Sequence, residues 1–223
     1  MKKTKPPRRV GYHHGNLRQT LIDAAVQLAE EVGPDNVSVR EVAKRAGVSP
    51  GAPFRHFSNK TALMTAVAEQ AMRRFRSEIA DAVRSISGDS PIERFAAVGI
   101  AYLRWAARNP THFQIISTRS LIDWQSSDSL REDNEAIRSL LEESLAEAQR
   151  RGMLSSSDTV QTQIVARALV YGLSRMCIDG HFAQWAVPGE TAEGAAQGAL
   201  KHFMTLVESK GPKPKVPKAP VRE

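Results

Sequence analysis

The sequence predicts an all-α protein, with a three-helix helix-turn-helix unit near the N-terminus and a larger helical region after it. Three observations carry that expectation. Aromatic residues make up 6% of the 223 residues while Ala, Leu and charged residues are frequent, a composition that favours helices. No segment shows the two-residue alternation of a strand over a useful length, and there is no internal repeat. Cap residues, Gly and Pro punctuate the chain at helical intervals, which gives nine expected helices.

The first helix is expected from Asn16, its N-cap, to Val32. Leu17, Leu21, Ala24, Ala25, Leu28 and Val32 face inward, and Gly33-Pro34 ends it. The next two lie within SVREVAKRAGVSPGAPFRHF, residues 38–57. Ser38 and Glu41 have capping-box spacing, and Val39, Val42, Ala43 and Ala46 form a narrow apolar stripe. Gly47 sits where a left-handed turn residue is needed, and Val48 can plug the angle between the helices. Ser49 as N-cap and Pro50 at the first helical position restart the chain at once. Two short helices around a Gly-containing turn are the sequence form of helix-turn-helix.

A fourth, long helix is expected after Asn59, with Leu63, Val67, Ala71, Phe75, Ile79 and Val83 recurring every four residues. It is long enough to join two domains. The run Ser-Gly-Asp-Ser at 87–90 breaks the chain, and Ser90-Pro91 starts a fifth helix reaching about Asn109. Pro110 opens a short sixth. Residues 120–129, which include Trp124, are loosely patterned. A polar helix is then expected from about Asp128 to Arg151, closed by Gly152. An apolar one follows from Thr159 to Asp179 with Gly180 behind it, and a last one from about Glu190 to Ser209. The implied domains are a flexible basic arm over 1–15, the helix-turn-helix over 16–60, a helical region over 61–209, and a disordered basic, Pro-rich tail over 210–223.

Charge gives the hairpin a direction. Residues 1–60 carry eleven Lys/Arg against five Asp/Glu, residues 61–209 fifteen against eighteen, and residues 210–223 five against one. All of the basic excess therefore lies outside the middle of the chain. A basic helix-turn-helix attached to a slightly acidic remainder is the electrostatic footprint of a DNA reader. A plain helical hairpin in an all-helical protein is the competing reading of residues 38–57.

Residues Tyr12 to about Phe75 resemble the DNA-binding domain of the TetR family of transcriptional regulators. The resemblance rests on NLRQTLIDAAVQLAEEVG, SVREVAKRAGVS and PGAPFRHFSNKTALMTAVAE, and on the succession of GVS, a short helix, an aromatic-Arg-His-Phe stretch, Asn-Lys and a long apolar helix. The opening YHHGNLR resembles one subgroup of that family, and the remainder of the chain matches more weakly. The resemblance implies a homodimeric, all-helical regulator, most simply a repressor, whose C-terminal domain binds a small effector and releases double-stranded operator DNA. It implies that Arg40 reaches the groove edge, that Ser49, Pro50, Gly51 and Ala52 lie nearest the bases, and that Phe54, Arg55, His56 and Lys60 line the backbone. Phe54 stands where the family often has Tyr, and Pro53 is expected to distort the recognition helix. Phe54 and Phe57 can instead pack on the first helix, and His56 can be structural.

In the second region Tyr102, Trp105, Phe113, Ile116, Trp124 and Tyr171 are candidate pocket residues, with Met153, Met176 and Trp185 as further apolar surface. Taken singly, each favours core over ligand contact. Trp124 stands out because it falls in an irregular segment. Arg175 is a polar candidate, together with Arg119, Asp123 and His181. Small and apolar residues on the last two helices (Ile164, Ala168, Tyr171, Gly172; Ala195, Ala199, Phe203, Leu206) suggest the homodimer interface. The last two helices of each subunit would then form a four-helix interface.

No Ser/His/Asp arrangement, Gly-rich phosphate loop or Cys/His cluster is present, so neither enzymatic activity nor a cofactor is expected. His13-His14 lacks a third metal ligand, and the lone Cys177 has no intrachain disulfide partner. No secretory signal and no membrane-length apolar run is seen, so a cytoplasmic location without membrane attachment is expected. An activator of the same fold, or a helical enzyme or lipid-carrying protein with incidental basic ends, are the alternatives.

Overall fold

The computed structural model describes residues 17–185 and 191–209. Among these are eight α-helices, four short 3-10 helices and no strand; one isolated bridge pairs Leu154 with Glu208. The helices are α1 (Leu17–Val32), α2 (Val39–Arg45), α3 (Lys60–Arg84), α4 (Pro91–Arg108), α5 (Pro110–Ser117), α6 (Asp128–Arg150), α7 (Thr159–Ile178) and α8 (Ala192–Val207). Asn16, the arm over 1–15 with its His pair, Glu190 and the tail over 210–223 lie outside the described residues. No described helix is long and apolar enough to cross a membrane.

Most boundaries follow from local chemistry. The Asn59 side chain accepts from the Ala62 backbone N–H at 2.8 Å and starts α3. Ser90 does the same for α4 through Glu93, with Pro91 at the first helical position. Gly47, Gly152 and Gly180 take φ of 69°, 68° and 74°, turning the chain after α2, α6 and α7.

Three local expectations are corrected. The Ser38 capping box does not form: Ser38 has the extended backbone of an N-cap but makes no side-chain cap bond, and the Glu41 carboxylate lies 3.6 Å from Lys44 Nζ instead. Val32 is exposed, lying outside the buried stripe of α1 formed by Leu21, Ile22, Ala24, Ala25, Leu28 and Ala29. No α-helix starts at Ser49-Pro50, which is why the described residues hold eight α-helices and not nine. That stretch is a turn closed by Ala52 N–H to Ser49 O, followed by a 3-10 helix over Pro53–Arg55. Pro53 has no N–H to donate back to Ser49 O, so an α-helical ladder cannot pass through it.

The core begins under the helix-turn-helix and does not stop at residue 60. Leu21, Ala25, Val42 and Phe57 share one buried cluster with Leu63, Val67, Phe75, Trp105 and Phe113. Helix α3 is the common wall, packing on α1 and also on α4, α5 and α6. At 1.5 Å per residue its 25 residues span roughly 37 Å. Two smaller clusters join α4 to α6 and α8, and α4 to α7 and α8.

Candidate functional site

The helix-turn-helix is held by two cross-links. Arg45 donates to both Glu31 carboxylate oxygens at 2.6 and 2.5 Å, tying α2 to α1. This fork keeps the Glu31 carboxyl below and the Arg45 guanidinium above their ordinary values. Lys60 Nζ donates to the Asp35 carbonyl at 2.5 Å, tying the start of α3 to the turn after α1. Lys60, expected beside a phosphate, is thus half-buried and engaged within the fold.

The other residues expected at DNA project from one tip. Arg40, Ser49, Pro50, Gly51, Phe54, Arg55 and His56 are exposed, Ala52 is half-buried, and Pro53 and Phe57 are buried. Phe57 faces the core with Arg18 above its ring at 5.4 Å from the centroid. Phe54 is 52% exposed.

Charge on this tip is modest. Residues 17–60 hold six Lys/Arg and five Asp/Glu, and two of the six cations, Arg45 and Lys44, already face carboxylates. Five more cations, Lys2, Lys3, Lys5, Arg8 and Arg9, come from the arm. Deleting residues 1–9 is therefore expected to flatten the dependence of log K on log[salt] by roughly 0.9 for each phosphate that the arm neutralises. Fluorescence anisotropy with a labelled duplex across about 50–200 mM salt measures this, and an unchanged slope would mean the arm touches no phosphate.

The second feature is a cavity of about 290 Å³ among α3, α4, α6, α7, α8 and the segment after α5. Tyr102, Ile116, Trp124 and Tyr171, all expected there, line it. Trp105 and Phe113 do not; they are buried core rings one layer behind. Trp105 backs the cavity residue Phe75 at 4.7 Å, and Phe113 stands 6.1 Å from Tyr102 and 5.8 Å from Tyr171. Arg175 also stays away, held by Asp179 at 2.9 Å one helical turn beyond Tyr171. Met153, Met176, Trp185, Asp123 and His181 are likewise not in the wall.

Sequence reasoning missed Met72, Phe75, Phe95, Asn134, Leu141, Ala166 and Arg167, which are also in the lining. The signal for the apolar ones was present as helical periodicity, but periodicity marks core and cavity wall alike. At the rim the Arg119 guanidinium stacks on Trp124 at 3.5 Å from the ring centroid. Desolvation, and then the Arg167 charge, hold Arg119 below its ordinary basicity.

Cavity and helix-turn-helix tip share two connections. Met72 and Phe75 on α3 are cavity wall, while Asn59 and Lys60 at the other end of the same helix meet the helix-turn-helix. The segment carrying Arg119 and Trp124 is pinned to α3 at Asp123 and Ser127. The Asp123 backbone N–H donates to Thr65 Oγ1 at 2.9 Å, and Ser127 Oγ donates to Glu69 Oε1 at 2.8 Å.

On the outer face of α7 and α8, Val160, Ile164, Val165, Tyr171 and Leu206 are exposed. Ala199 and Phe203, expected on that face, are half-buried beside Leu103, Leu173 and Leu200. Leu200, Phe203 and Met204 of α8 turn toward α4, α6 and α7, which leaves Gly194, Gly198 and Leu206 outward.

Two family models match the chain. One, described as bacterial regulatory proteins of the tetR family, covers residues 21–67; the other, described as a tetracyclin repressor-like C-terminal domain, covers residues 95–200. Among curated relatives, the HTH-type transcriptional regulator BetI of Serratia proteamaculans is 35% identical over 85 residues, 36% of this chain and 41% of that protein. The chain spans about half or less of the length of the curated relatives it matches. A solved protein of unknown function from Rhodococcus sp. RHA1 is 27% identical with TM-score 0.72, covering 89% of this chain and 98% of the other. A TetR family transcription regulator from Marinobacter aquaeolei VT8 shares the fold at TM-score 0.64 and 17% identity, over 87% and 97% of the two chains.

Proposed function

Because the chain belongs to the tetR family of bacterial regulatory proteins, we propose that it is a homodimeric repressor which releases its operator when a small molecule fills the cavity. The observation that carries this reading is α3. One rigid helix forms cavity wall at Met72 and Phe75 and carries the helix-turn-helix at Asn59 and Lys60. A ligand that binds better with α3 displaced shifts the population toward that arrangement. Displacement of α3 in each subunit changes the separation of two DNA-facing tips, which must match successive major grooves. The hydrogen bonds that the rim segment donates to Thr65 and Glu69, from the Asp123 backbone N–H and the Ser127 hydroxyl, give the cavity a second hold on the same helix.

At the tip, direct polar readout is sparse. Pro50, Gly51 and Ala52 offer no side-chain donors, so contact with thymine methyl groups and DNA shape carry much of the specificity, with Arg40 as the main base reader. Arg40 is exposed and free of any ion pair among the described residues. Arg40→Ala is expected to cost about 1–3 kcal/mol on operator DNA and to relax sequence preference. Competition titrations with operator and random duplexes measure both. Footprinting on DNA upstream of the chain's own gene provides the operator. A variant that loses affinity equally for all duplexes would assign Arg40 to phosphate instead, and absence of any footprint would overturn the operator reading.

A further inference from the structure

The chemistry of the cavity wall is lopsided. Its described lining includes two guanidiniums, Arg119 and Arg167, and neither Asp nor Glu. Elsewhere on these helices an arginine such as Arg108 or Arg175 holds a carboxylate, Glu78 or Asp179. Arg119 and Arg167 hold none among the described residues. Both stand exposed at the rim, and the Arg167 charge is felt at Arg119 and at the Tyr102 phenol.

The Tyr102 hydroxyl makes no hydrogen bond among the described residues. Burial pushes its pKa up to about 12, so it remains a protonated donor. One end of the cavity thus gathers two cations and a phenol donor with no anion or carboxylate acceptor to answer them. The rest of the wall is mainly apolar: Phe75, whose ring lies 5.2 Å from that of Tyr102, with Phe95, Val98, Leu141 and Met204.

That polarity selects a ligand. A cation would face two unneutralised guanidiniums. An uncharged apolar molecule would fill the interior and leave the rim donors unanswered. A carboxylate matches the guanidinium fork and accepts from the phenol. Size sets the body: at about 30 Å³ per water-sized group, 290 Å³ holds roughly ten non-hydrogen atoms.

We propose that the cavity binds a small amphipathic anion, a carboxylate on an apolar body of roughly eight carbons, with its head between Arg119 and Arg167 and its body against Phe75, Phe95 and Leu141. The inference rests on reading this cavity as the effector site, and it adds the chemical class of the effector.

Calorimetric titration of the DNA-free, full-length protein with octanoate, octan-1-ol and octyltrimethylammonium tests it. Octanoate is expected to bind at least about tenfold more tightly than octan-1-ol, the scale of a charged hydrogen-bonded pair, and the ammonium compound not at all. Arg119→Gln/Arg167→Gln should weaken octanoate at least about tenfold while leaving octan-1-ol unchanged. Both residues are exposed rim groups, and circular dichroism checks that the fold is intact. Ala166→Trp, which fills the interior, should remove both ligands. No octanoate binding, equal affinity for octan-1-ol, or octanoate binding untouched in the double variant overturns the proposal. Adding octanoate to the protein–operator complex tests the effector reading separately. Binding without release keeps the anion site and sinks its role in repression.

Discussion

Ile164→Arg is expected to convert the protein to monomers and to lower operator affinity by a hundredfold or more, about 2.7 kcal/mol at ten-fold per 1.4 kcal/mol, with helical circular dichroism unchanged. Ile164 is 54% exposed and Val160 63% exposed. With Ala168 and Tyr171 they lie at intervals of four, four and three residues along α7, which places them on one face of the helix. Val160, Ile164 and Ala168 are exposed, while Tyr171, 42% exposed, also borders the cavity with its ring 5.8 Å from Phe113. Gly172 and Gly198 would each accept a Cβ with no heavy atom within 4 Å, so the neighbouring space is open to another backbone.

A two-fold axis uses the same patch twice, so one substitution places two arginines in an apolar contact. Each would have to lose water without gaining a partner. The loss in DNA affinity then comes from uncoupling the half-sites, since a monomer forfeits the effective concentration that a dimer brings to its second site. Ala199→Arg is a less clean probe because Ala199 is half-buried against the subunit's own core, so its replacement also perturbs packing within the subunit. Sedimentation velocity and anisotropy on operator DNA measure the two effects. A variant that sediments as a dimer and binds normally would place the interface elsewhere.

The second large effect concerns stability. Arg76→Ala is expected to destabilise the protein by about 1–3 kcal/mol, by the penalty for a buried acceptor that loses its partner. Asp133 on α6 is only 4% exposed. Its Oδ1 accepts from Arg76 Nη1 of α3 at 2.8 Å, and its Oδ2 has no hydrogen-bond partner among the described residues. Removing the guanidinium leaves a buried carboxylate with no partner. Breaking a fully buried pair costs about 3–5 kcal/mol, but the Arg76 side chain is 52% exposed, and solvent screening reduces the effect.

Arg76→Ala/Asp133→Ala should therefore be more stable than Arg76→Ala alone, because it removes the stranded charge as well. Urea unfolding of the three proteins checks the order. A single variant within about 0.5 kcal/mol of wild type, the range of ordinary surface substitutions, would mean that water already serves the carboxylate.

The sequence by itself determined what depends on neighbouring residues along the chain. Asn59 and Ser90 cap their helices, Gly47, Gly152 and Gly180 turn left-handed, and Pro53 interrupts the recognition segment. Each of these is a backbone preference or a bond spanning three or four residues, so no partner from elsewhere is needed. The all-α class followed in the same way. The Ser38–Glu41 box does not form, and the Glu41 carboxylate lies beside Lys44 instead, a local choice that pattern alone does not rank.

Tertiary structure alone decided which inward residues line a cavity and which fill the core. Trp105 and Tyr102 lie three residues apart on one apolar helix, yet Trp105 is sealed behind Phe75 while Tyr102 keeps an unpartnered hydroxyl at the cavity. Periodicity records that a side chain faces inward; whether another helix fills the space before it depends on side chains far away in sequence. Arg119 and Arg167 show the same limit for charge. One lies just past α5 and the other in mid-α7, and only the packing of α7 across α4 and α6 brings them to one rim.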